Sequence, residues 1–102
     1  MMYVNAIRID PQDNVAVVTE DTKQGAMVYE LSQNIHIKAN QDIPQGHKIA
    51  LNDISAGEMI IKYGMIIGRS NKEIPAGSWV HCHNVDDITS LLCQKSRFEK
   101  EG

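Results

Sequence analysis

An acidic residue, three further residues and then glycine recur four times in this 102-residue chain, as DTKQG at 21–25, DIPQG at 42–46, DISAG at 53–57 and EIPAG at 73–77. Pro44 and Pro75 preset φ at the front of the turn, and the closing glycine can take positive φ without a Cβ clash. Each turn leads into a short apolar run: AMVYEL, HKIAL, EMIIKYG and SWVHCHNV, with further runs at NVAVVT and NIHIKA. Runs this short, bounded by turn residues and alternating apolar with polar as in Ile35, His36, Ile37 and Lys38, are strand signatures and too short for helices. The chain therefore reads as mostly β, with short kinked strands.

KYGMIIGRS adds glycines at 64 and 68 flanking Met65, Ile66 and Ile67, which predicts a tight reversal, a short buried strand and another kink, the second glycine marking a bulge or a close backbone approach. With no helix after it, it is not a phosphate cradle. Beyond Val85 the pattern changes. Asp86 or Asp87 can cap a short helix carrying Ile88, Leu91, Leu92 and Lys95. The expected organisation is one β domain over 1–85 and a C-terminal helix or flexible tail over 86–102.

A formal charge of -3 argues against a nucleic-acid module, which needs clustered Lys and Arg. No apolar run approaches the roughly 20 residues that span a bilayer, so the expected location is cytoplasmic, without a membrane. Cys82 and Cys93 fit no zinc spacing and are expected to be reduced thiols.

The chemistry-bearing stretch is WVHCHNV. Read as a strand, it points Trp79, His81 and His83 one way, while Val80 and Cys82 face the core. Two imidazoles so spaced can clamp a metal ion, or act as a base beside a charge stabiliser. The alternative is a pair of exposed strand histidines with no ligand. His47 also follows a glycine turn and is the candidate third member, whereas His36 reads as structural. Lys48, Lys62, Tyr63, Arg69 and Asn84 could bind an anionic substrate such as a sugar acid.

Together DIPQGHKIALNDISAGEMIIKYGMIIGRSNKEIPAGSWVHCHNV resembles the N-terminal SAF domain of the altronate and galactarate dehydratase family, with GHKIAL, IKYG, IGR and WVHCHN as its specific parts. The resemblance, from about residue 10 to 85, implies a β-clip fold similar to the antifreeze-like domain of sialic acid synthases. In this family the domain either heads a longer dehydratase chain or stands as a small subunit beside a large one, and the length here matches the small subunit. The implied reaction removes water from a hexonate such as altronate to give a 2-keto-3-deoxy acid; a related two-subunit enzyme, sulfolactate sulfo-lyase, expels sulfite. A divalent ion, iron or manganese, is implied as cofactor. His81 and His83 fall in the family's His-x-His-Asn element and His47 in its Gly-His-Lys element. They are expected as acid, base or, for His81 and His83, metal ligands, with Lys48, Arg69, Lys62 and Asn84 as substrate-binding residues. A noncatalytic SAF module holding a carbohydrate or a protein is the alternative, and a homo-oligomer stays open.

Overall fold

The four turn glycines take the left-handed backbone expected of them, with φ of 91° at Gly25, 81° at Gly46, 87° at Gly57 and 90° at Gly77. The computed structural model describes residues 3–32 and 34–87. Within it the turns associate in pairs. Thr22 and Ile43 exchange both backbone hydrogen bonds at 2.8 Å, and Ile54 and Ile74 do the same. Each acid-x-x-x-Gly motif thus sends its second residue inward, leaving Thr22, Ile43, Ile54 and Ile74 each 1% exposed. Three of the four acids cap the opposite turn. Asp42 accepts from Gln24 N–H and Asp21 from Gln45 N–H, both at 2.8 Å, and Asp53 accepts from Ala76 N–H at 2.9 Å. The repeat is a cross-capping device that satisfies backbone donors the turns would otherwise leave open.

Among the described residues there are nine strands: β1 Tyr3–Ile7, β2 Val15–Val18, β3 Met27–Glu30, β4 Ile35–Lys38, β5 Lys48–Ala50, β6 Met59–Lys62, β7 Met65–Ser70, β8 Trp79–Val80 and β9 Val85–Asp87. They form a six-stranded sheet in the order β4-β3-β1-β2-β5-β8 and a three-stranded sheet β6-β7-β9. All pairs are antiparallel except β1 with β3. One apolar cluster, including Val4, Val18, Val28 and Ile49, lies on the large sheet; another, Val15, Ala50, Ile54, Ile60, Ile74 and Val80, joins the two sheets. The described residues are all strand and turn, the mostly-β SAF architecture that the sequence predicts.

Two glycine expectations find their reasons here. Tyr63 (φ 55°) and Gly64 (φ 74°) make the two-residue reversal between β6 and β7, a positive-φ pair that suits the twist of a hairpin. Buried Asp13, from the β1–β2 connection, holds it by accepting from Tyr63 N–H and Gly64 N–H, each at 2.8 Å. At Gly68 a Cβ would lie 2.6 Å from the Asp86 carbonyl oxygen, so only glycine lets β9 approach.

β9 continues past residue 85. Asp86 and Asp87 pair with Arg69 and Gly68 as strand residues instead of capping a helix. The helix expected from Ile88 onward, with Cys93, lies outside the described residues. Among the described residues no helix is long and apolar enough to cross a membrane.

Candidate functional site

β5 and β8 are neighbours at one edge of the large sheet, and their last registered pair is Lys48 with Val80. The next position along places His47 opposite His81, and their ring centroids are 4.8 Å apart. Trp79 completes the group. Its ring stacks on His81 at 5.3 Å and 11°, meets His47 edge-on at 5.4 Å, and lies 5.3 Å from His83. Three imidazoles therefore gather around one indole.

The strand reading of WVHCHNV is corrected by this geometry. β8 ends at Val80, and residues 81–84 form a turn closed by Asn84 N–H donating to the His81 carbonyl at 3.0 Å. The cause is Asn84, whose Oδ1 accepts from His81 N–H at 2.9 Å and whose amide donates to the Trp79 carbonyl at 2.8 Å. These bonds use both strand-end backbone groups and pull the chain around. Asn84 is consequently buried, with its side chain bonded within the turn. Cys82, expected in the core, is exposed at the tip of the turn.

A close imidazole pair is thus His47 with His81. His47 and His81 are half-buried and His83 is exposed, so the group opens to solvent on one side. Partial burial disfavours the charged form of His81, and the positive charge available to His47, Lys48 and His83 adds to it, holding His81 below the ordinary imidazole value of 6.5. Lys48, at the start of β5, belongs to this neighbourhood. Lys62 lies on β6 in the other sheet, its ammonium 4.8 Å over the Tyr63 ring at the β6–β7 hairpin. Arg69 is exposed on β7 in the other sheet, paired with Met59 and Asp86. His36 behaves as a structural residue, packed edge-on against Tyr29 at 4.4 Å and bonded to the Asn34 side chain.

The donor set of the described residues does not by itself fit a metal ion. Among the described residues no group of three His, Cys, Asp or Glu side chains is placed to bind one. One imidazole of the His47–His81 pair is also occupied, because the Trp79 indole N–H donates to His47 Nδ1 at 3.1 Å. The sequence left this bond unseen, since it joins residues 32 apart whose contact depends on the β5–β8 register. The Asn84 turn had a signal in the asparagine itself, a turn-favouring residue whose side chain bonds nearby backbone.

Residues 4–88 match the altronate/galactarate dehydratase SAF domain. The chain is 44% identical over 88 residues to an altronate dehydratase of Escherichia coli, covering 86% of this chain and 17% of that protein. It is 41% identical over 76 residues to a galactarate dehydratase (L-threo-forming) of Escherichia coli, covering 72% of this chain and 14% of that protein. It is 35% identical over 89 residues to a (2R)-sulfolactate sulfo-lyase subunit alpha of Chromohalobacter salexigens, covering 82% of this chain and 95% of that one. The chain thus spans less than a fifth of the length of the dehydratases it matches, and nearly all of the small sulfo-lyase subunit.

Proposed function

The chain belongs to the altronate/galactarate dehydratase SAF-domain family, and from that premise we propose that it is the small subunit of a hydroxy-acid lyase whose active site a separate large subunit completes. The observation that carries this reading is the half-open cluster of His47, Trp79, His81 and His83, which offers titratable groups beside a lysine but no enclosure of its own. The match along nearly the whole of a sulfo-lyase subunit alpha supports a domain of this size working beside another chain.

The proposed substrate is a hexonate of the altronate type, after the 44% identical relative. A base removes the proton from the carbon beside the carboxylate, the electron pair forms a carbon–carbon double bond, and the neighbouring hydroxyl leaves as water with a proton from an acid. The resulting enol tautomerises to a 2-keto-3-deoxy acid. His81, kept neutral, suits the base; Lys48 suits the carboxylate; exposed His83 suits proton delivery. The divalent ion implied by the family resemblance, iron or manganese, would need its ligands from the large subunit.

A second reading, elimination of sulfite from sulfolactate, is favoured by the 95% coverage of the sulfo-lyase subunit. Mixing the chain with the large subunit and following 2-keto acid and sulfite separately decides between them. Full turnover by the large subunit alone would refute both, as would turnover unaffected by joint replacement of His81 and His83; the latter leaves a noncatalytic module.

A further inference from the structure

The indole of Trp79 has only one polar group, an N–H that can donate and never accept. Its bond to His47 Nδ1 therefore requires a lone pair on that nitrogen. A neutral imidazole has one lone-pair nitrogen and one N–H, so the proton of His47 must sit on Nε2. We propose that Trp79 is a positioning residue that fixes His47 as an Nε2–H donor, so that His47 serves as a hydrogen-bond donor to a substrate oxygen and not as a metal ligand or a base. A metal would need the lone pair that Trp79 occupies.

The surrounding structure keeps this assignment in place. His47 is tethered on its backbone side, with its N–H donating to Pro44 O at 3.1 Å and its carbonyl accepting from Val18 N–H at 3.0 Å. Trp79 is registered against Ile49, which is wholly buried, and its own N–H donates to the Gln41 side chain at 3.2 Å. Indole and imidazole therefore meet at fixed backbone positions. The close pair then has distinct roles: His47 offers a proton donor that it does not release, and His81, 4.8 Å away, keeps its lone pair for a substrate proton. The ligand chemistry such a donor recognises is an anionic or hydroxyl oxygen, which a hydroxy acid supplies.

The donor role rests on the lyase reading; the tautomer does not, and the test separates them. Long-range proton–nitrogen correlation spectra of the isolated chain, recorded well above the ordinary imidazole value of about 6.5, report each histidine's tautomer. The expected result is Nε2–H at His47, with a nitrogen–nitrogen coupling across the bond to Trp79 Nε1, and loss of both in Trp79→Phe. An Nδ1–H tautomer in the unaltered chain overturns the proposal, with no need for the variant to fold. With the large subunit, Trp79→Phe is expected to lower kcat/KM about ten-fold, the usual worth of one such hydrogen bond. Unchanged turnover with an altered tautomer would overturn the donor role, and Nε2–H in a chain that supports no lyase activity would refute the lyase reading while leaving the tautomer assignment standing.

Discussion

Replacing Asp13 by asparagine keeps the shape of the side chain and removes one acceptor and one charge. Asp13 is 4% exposed and accepts three backbone N–H groups: Gly64 on Oδ1 at 2.8 Å, and Tyr63 and Asp10 on Oδ2 at 2.8 Å and 3.2 Å. An amide can offer its oxygen to only one side. In its better orientation it keeps Tyr63 and Asp10, and turns an NH₂ toward the Gly64 N–H. Losing one charge-assisted bond, leaving a buried donor opposed, and weakening the two remaining bonds should cost about 2–4 kcal/mol. With a urea m value of about 1–2 kcal/mol/M for a domain this small, the unfolding midpoint should fall by roughly 1–4 M with m unchanged. The effect depends on pH in a stated direction. Burial alone would raise the Asp13 carboxyl, but the backbone N–H groups of Gly64, Tyr63 and Asp10 outweigh it and hold the group below 3.8. The charged form thus stabilises the fold above the unfolded value of 3.8, and that contribution is lost as pH falls through the lower native value. The gap between the two proteins should narrow in acid. A midpoint shift below about 0.5 M, or one that stays constant into strong acid, would refute the cross-brace.

Four further outcomes are expected. Gly77→Ala should destabilise by about 3 kcal/mol or more, because φ is 90° and the added Cβ would collide with the Lys38 carbonyl; Gly57→Ala, with φ of 87° and open space, should cost only about 1–2 kcal/mol. Equal thermal shifts for the two would contradict the packing described. Histidine NMR titration should give His81 a midpoint below 6.5, moving up in His47→Ala as one repulsive neighbour is removed. Because the native value is the lower one, stability should decline as pH falls from 6.5 toward it, and a His81→Phe variant should lack that dependence. Titration of Mn²⁺ or Fe²⁺ into the isolated chain should show no tight stoichiometric binding by calorimetry, and a one-to-one isotherm would return the ligand role to these histidines.

Much of the fold was legible because its chief determinant is local. The turn glycines follow from backbone sterics, and the short strands from apolar and β-branched runs between turns. What the acids do was not legible, since Asp21 reaches Gln45 and Asp42 reaches Gln24 across a pairing of turns that no single window contains. The site divides in the same way. His47 and His81 were identifiable from position after their turns, and the β5–β8 register brought them together. The strand face of WVHCHNV failed because period-two reasoning assumes an uninterrupted strand. Asn84 supplies better partners for the backbone of Trp79 and His81 than another strand would, so the chain turns. Lys62 and Arg69 were grouped with the histidines by sequence proximity to turns, yet the sheet arrangement puts them on other parts of the surface.

The central claim is that the imidazole edge of this domain is part of a catalytic site shared with another chain. Its most direct test measures association and turnover on the same samples: the large subunit is saturated with the unaltered chain or with His81→Ala, binding is verified by sedimentation, and product formation is followed. The account requires equal association and a loss of turnover of at least about 100-fold, as befits a general base. Equal association with undiminished turnover would contradict it and leave this edge a docking face without a part in the chemistry.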